Sequence, residues 1–124
     1  QMNFFRVQVD GSQARFLDGT VITLPKEAQE RLKGRTGQLV LGIRGEDLKT
    51  DAQSVAAQPE GRMHSVIVNT EVMGNENNLY FDFGGTQAVA RVSKYEIKEI
   101  GDSVEFVFVP SKIHFFDPET GAAV

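Results

Sequence analysis

The side chains that could carry chemistry in this chain are two histidines, several serines and paired carboxylates, and their spacing assembles no reaction centre. His64 and His114 lie fifty positions apart, without the short spacing that brings two imidazoles onto one metal ion. Each therefore reads as a structural histidine with its own hydrogen bond. There is no cysteine, which excludes disulfides and thiolate metal sites, and leaves nucleophilic catalysis to a serine or threonine. Ser54, Ser65, Ser93, Ser103 and Ser111 all lack the G-x-S-x-G turn that exposes a nucleophile. Glu46-Asp47 and Glu96/Glu99 fit a solvated surface better than an acid–base dyad. No G-x-x-x-x-G-K-[ST] run is present to cradle nucleotide phosphates, and the glycines fall at turns.

Composition narrows the classes further. A length of 124 residues suits one domain, and 40% hydrophobic with 24% charged residues is ordinary for a globular chain. Thirteen basic against seventeen acidic residues give a net charge of −4, the wrong sign for a nucleic-acid footprint. No apolar run approaches the roughly 20 residues of a membrane span, and no signal peptide is visible. A cytoplasmic location is the expectation.

The elements that must position any site are mostly strands. Period-two alternation runs from Phe4 to Val9, Gln13 to Leu17 and Thr20 to Leu24, with Asp10-Gly11 and Asp18-Gly19 as turns. One short helix follows Pro25. Ala28 and Leu32 share its inner face, Glu27 is spaced to pair with Arg31, and Gly34 ends it. Gln38 to Arg44 is a strand with Leu39, Leu41 and Ile43 on one face. Residues 51–61 are small and polar and read as a connection between two lobes, about 1–50 and 62–124, of a single domain spanning 1–124.

In the second lobe, His64, Val66, Val68, Thr70 and Val72 share one face of a long strand, and Gly74 to Asn77 turns the chain. Leu79, Phe81 and Phe83 alternate with Tyr80 and Asp82 before Gly84-Gly85 closes a tight hairpin. Val104, Phe106 and Phe108 point inward, and Lys112 to Phe116 supplies a last short strand. The fold expected is mainly β: a small five-stranded Greek-key barrel of the OB type in the second lobe, with the first-lobe meander and one short helix packed beside it. OB barrels often bind single strands through aromatics among basic residues. Here the phenylalanines occupy core-like alternating positions, and Tyr80 and Tyr95 lack a basic surround.

Five runs, in order, carry a resemblance. They are Met2-Asn3-Phe4-Phe5, then Gly42-Ile43-Arg44-Gly45-Glu46, then Val66 to Glu76, then Ala90-Arg91-Val92 with Gly101-Asp102-Ser103-Val104, and finally Lys112-Ile113-His114-Phe115-Phe116-Asp117-Pro118-Glu119-Thr120-Gly121. Together they resemble the C-terminal regulatory (TOBE/OB-type) domain of the ATP-binding subunits of sugar-type ABC importers, the maltose, glycerol-3-phosphate and multiple-sugar group. Gly45 departs from that family's usual proline.

The resemblance implies a non-catalytic module whose parent couples ATP hydrolysis to carbohydrate uptake. ATP and magnesium would sit in an ATPase domain ahead of this region, so no catalytic, cofactor or metal residue is assigned here. The implied partners are that ATPase domain, a second ATP-binding subunit in a homodimer, permease subunits indirectly, and in some members a regulatory protein. The assembly would lie against the inner face of the cell membrane without insertion. Arg44, Glu46 and Asp47 at a strand end, and Asn75 and Glu76 at the next turn, are the candidate interdomain or dimer contacts. The rival expectations are a barrel of the same importers that senses an oxyanion or sugar, and an OB-fold nucleic-acid binder.

Overall fold

The computed structural model describes residues 1–124. Alternating sequence becomes two five-stranded sheets. The first is built from β1 (Met2–Asp10), β2 (Gln13–Phe16), β3 (Val21–Thr23), β4 (Thr36–Arg44) and the late strand β10 (His114–Phe116), in the order β10-β4-β1-β2-β3. The second contains β5 (Leu48–Lys49), β6 (Met63–Val72), β7 (Glu76–Phe83), β8 (Thr86–Ser93) and β9 (Ser103–Phe108), in the order β5-β9-β6-β7-β8. Every pairing is antiparallel. The mainly-β, OB-type expectation is met, with one change of address. The last strand does not close the second lobe; it returns to pair His114, Phe115 and Phe116 with Gly42, Leu41 and Val40 of β4.

Inward-facing residues of both sheets meet in one hydrophobic cluster. Phe5 and Phe16 of the first sheet pack edge-on against Phe83 of the second, at centroid distances of 5.9 and 5.1 Å. Phe83 continues to Phe106 at 5.1 Å. Edge-on aromatic pairs add about 0.5–1.5 kcal/mol each to the burial of their area. This row of rings joins the inner faces of the two sheets. Gly84, next to Phe83, has φ +66°, and a Cβ there would lie 2.4 Å from Cδ2 of Phe16. The Gly-Gly hairpin is thus set by both backbone conformation and close approach.

Helix α1 (Lys26–Leu32) buries Ala28 and Leu32 as the pattern requires. Arg31 differs from expectation: its guanidinium donates to the carbonyl of Pro110 at 3.0 Å and to that of Ile113, and its Nε to the Glu27 carbonyl, not the carboxylate. A planar fork serves two backbone acceptors better than one flexible side chain. The stretch read as a plain connection holds a second helix, α2 (Ala52–Ala57). Asp51 caps it by accepting the Ser54 N–H at 3.0 Å, and Val55 is its buried anchor. Backbone donors on the carboxylate, the Ser54 N–H foremost, lower the Asp51 pKa.

β6 changes partner along its length, pairing with β9 over Met63–Val66 and with β7 from Ile67 onward. A bulge between Ile67 and Asn69 marks the change, and bulges of this kind bend a strand so that a sheet can curl. Met63 and Ile67 point inward, while Val66, Val68 and Val72 stay 45%, 38% and 80% exposed. The bulge also flips the strand's parity: Val66 and Val68 lie on the outer face, whereas Thr70 and Val72 stand opposite Leu79 and Asn77, on the side that Ile67 faces, so the single face read from sequence is split in two.

Candidate functional site

The residues singled out from sequence gather around the end of β4 and the start of β7. β4 runs into a 3-10 turn at Gly45–Asp47, where Arg44 and Glu46 are exposed. Asp47 is half-buried, and its carbonyl accepts the Val109 N–H at 3.0 Å. Gly45 sits against β8: a Cβ there would lie 3.1 Å from the Val89 carbonyl oxygen and 3.4 Å from the Arg91 nitrogen. Its own N–H donates to the Gln1 carbonyl at 3.2 Å. Where the resembled family has proline, this chain thus has a residue that uses its N–H and its missing side chain.

Asn75 is exposed in the β6–β7 turn, and Glu76 is half-buried at the start of β7. Glu76 Oε1 lies 4.0 Å from Nη1 of Arg91. Arg91 also flanks Gly45 through its backbone nitrogen and Cβ. The two candidate groups, separate in sequence, are therefore linked through one arginine of β8. An exposed pair at that distance is worth little as stability, under about 1 kcal/mol, but it fixes where the two charges stand.

The side chain that sequence reasoning missed is Asn3. It is buried, with Nδ2 donating to the carbonyls of Val89 at 2.9 Å and Ile43 at 3.2 Å, and Oδ1 accepting the Val89 N–H at 2.8 Å. It fastens β1 and β4 to β8, directly beneath the Gly45 turn. An asparagine alternating with Met2 and Phe4 near a chain end looks like a solvated strand residue, so the only signal was its place in a strand whose Phe5, Val7 and Val9 partners are inward-facing.

Other exposed side chains are apolar. Along β6, Val66, Val68 and Val72 are uncovered, and the β8–β9 connection adds Ile97 at 76% and Ile100 at 68% exposure. Ile97 and Val72 line one depression. The backbones of Gly101 and Asp102 hydrogen-bond to Ile67 at 2.8 and 2.9 Å, holding the connection beside β6. The two tyrosines part ways. Tyr80 donates to Glu71 Oε1 at 3.0 Å, which raises its pKa, whereas Tyr95 is 82% exposed with Lys94 Nζ beside its ring. The histidines stand on different sheets, His64 on β6 and His114 on β10. No helix is long and apolar enough to cross a membrane.

Two interlocked β-sheets of this topology define an OB/TOBE-type module, and comparison with known proteins agrees. The TOBE domain model matches residues 41–116, and the chain belongs to that family. A model described as the MalK OB fold domain matches residues 1–48, which puts the OB label on the lobe read from sequence as the accompanying meander.

Among curated relatives, the multiple sugar-binding transport ATP-binding protein MsmK of Streptococcus mutans is 32% identical over 99% of this chain and 33% of its own length. The putative uncharacterized ABC transporter ATP-binding protein YcjV of Escherichia coli K12 is 34% identical over 99% and 33%. The sn-glycerol-3-phosphate import ATP-binding protein UgpC of Yersinia enterocolitica is 30% identical over 93% and 31%. The chain thus spans about a third of the length of these relatives. Among solved structures, the cytoplasmic molybdate-binding protein ModG superposes with a TM-score of 0.71 at 17% identity, covering 94% of this chain and 96% of that one. That likeness is one of fold.

Proposed function

We propose that this chain is the regulatory, dimer-stabilising domain of the ATP-binding subunit of a carbohydrate-type ABC importer, and that it is itself non-catalytic. Support for the parent comes from relatives that are ABC transporter ATP-binding proteins aligned along nearly all of this chain. The observation that carries the role is the pair of exposed apolar side chains Val72 and Ile97, which line one depression at the end of β6. Contiguous exposed apolar surface on a globular domain marks an interaction site, and a face that meets its own copy closes a two-fold pair.

The physical logic is one of effective concentration. A standing contact between two such domains keeps two ATPase domains near one another through each cycle of opening and closing, without needing a strong contact of their own. Arg44, Glu46, Asp47, Asn75 and Glu76 are proposed as the polar contacts to the ATPase domain or to the second subunit, where ATP and magnesium would be bound. In this reading the subunit works in the cytoplasm, on the inner face of the membrane, beneath permease subunits.

Sedimentation velocity of the 124-residue chain tests the pairing. A dimer whose fraction rises with concentration is expected, and a strict monomer at millimolar concentration contradicts the role. The coding sequence ahead of Gln1 tests the parent: a Walker loop and an ABC signature are expected there, and their absence contradicts the assignment.

A further inference from the structure

An open groove of about 610 Å³ lies between the β5–α2 corner and the β8–β9 connection, beside the β7 end where Glu76 pairs with Ser93. Its size falls within the roughly 300–1,000 Å³ of small-molecule sites. Asp51, Arg62, Tyr95, Glu96, Lys98 and Glu105 line it, so three carboxylates face two cations. That balance does not attract an oxyanion, and it does not single out a cation either. It offers donors and acceptors side by side at near-neutral charge, joined by the hydroxyls of Thr50 and Ser93. A neutral ligand that donates and accepts at many points fits this wall best.

Two of these residues are unusually placed. Tyr95 stands at the cleft with its ring 82% exposed. Lys94, which does not line the cleft, has its Nζ 5.2 Å from the ring centroid. A tyrosine combines an apolar plate with a polar tip, suited to the C–H face of a sugar ring whose hydroxyls turn outward. Glu96 is half-buried, and its Oε2 accepts a hydrogen bond from Thr50 Oγ1. Burial, then the nearby Asp51 charge, raises its pKa. A ligand hydroxyl donated to this carboxylate would replace hydration that the cleft has partly removed.

We propose that the cleft binds a neutral polyhydroxylated small molecule of the monosaccharide or disaccharide class, stacked on Tyr95 and hydrogen-bonded to Glu96. The site would let the domain respond to a solute, and it adjoins the pairing surface, because Tyr95 and Lys98 also line the depression that holds Val72 and Ile97.

Amide-resolved NMR titrations of the 124-residue chain with glucose and with maltose, up to about 50 mM, test it. Molybdate and sulfate serve as anionic arms. The expected result is a saturable shift from at least one sugar, concentrated on residues 50–52 and 93–98. Tyr95→Ala and Glu96→Gln should each weaken binding by about tenfold or more, with the remaining spectrum native. The proposal is overturned if neither sugar gives a saturable shift. It is equally overturned if only the anions shift those residues, or if both variants bind as the parent does.

Discussion

The side-chain amide of Asn3 and the backbone of Val89, 86 residues apart in sequence, exchange a donor and an acceptor as two paired strands would. The same Nδ2 also reaches the Ile43 carbonyl. One amide thus locks the first sheet to an edge strand of the second, beside the turn that carries Arg44 and Glu46.

Replacing Asn3 with alanine removes three hydrogen bonds and leaves the N–H and carbonyl of Val89 without their Asn3 partner. The expected loss is about 2–4 kcal/mol, since each buried group left unpaired costs roughly 1–3 kcal/mol and relaxation recovers part of it. Urea unfolding measures it; a midpoint unchanged from the parent would show that the clamp carries no stability. Asn3→Asp should also be destabilised at pH 7, because a carboxylate there opposes two carbonyl oxygens, and should recover partly in acid.

Glu96 gives a pH dependence of defined sign. Burial first, and the Asp51 charge second, raise its pKa above the usual 4.5. The folded state therefore favours the protonated form, and stability falls as pH rises from about 4.5 through the raised folded value. Glu96→Gln should be slightly more stable than the parent at pH 7, by less than about 1 kcal/mol because the group is half in water, and no more stable below pH 4. Parallel stability profiles of the two proteins across this window would contradict the assignment.

Arg31 tests how the tail is held. Arg31→Ala removes the charged donor from the carbonyls of Pro110 and Ile113 and should cost about 1.5–3 kcal/mol, the range for hydrogen bonds to a charged group. Lysine should not restore it, because an ammonium lacks the fork that spans two acceptors. Hydrogen exchange gives the specific readout. The amides of residues 114–116 should exchange faster while those of β7 hold; uniform acceleration would mean that the contact does not act on the tail.

These three residues also show what the sequence made legible. Strand alternation placed Leu39, Leu41, Ile43, Leu79, Phe81 and Phe83 inward, and the structure buries each of them. Asp-Gly and Gly-Gly turns placed the hairpins, because such positions are dictated locally. What escaped was decided over distance. Nothing near His114 says that it pairs with Gly42, so the final strand was assigned to the wrong sheet.

Arg31 has Glu27 at helical spacing, yet two carbonyls about 80 residues away hold it. The parting of Val66 and Val68 from Thr70 and Val72 onto opposite sides depends on the bulge after Ile67 and on a change of partner strand. Helix α2 was legible in principle: Asp51 is a good N-cap and Ala52 to Ala57 are mostly good helix formers. The small polar composition of that stretch hid it.

The pairing face can be tested without touching the core. Val72 and Ile97 line one depression at 80% and 76% exposure, so replacing both with lysine should leave the melting temperature within a few degrees of the parent. Equilibrium sedimentation of the parent chain and of the Val72→Lys/Ile97→Lys variant is the most direct measurement. The account predicts a concentration-dependent dimer for the parent and a folded monomer for the variant. A parent chain that stays monomeric at millimolar concentration, or a variant that pairs as tightly as the parent, would contradict it.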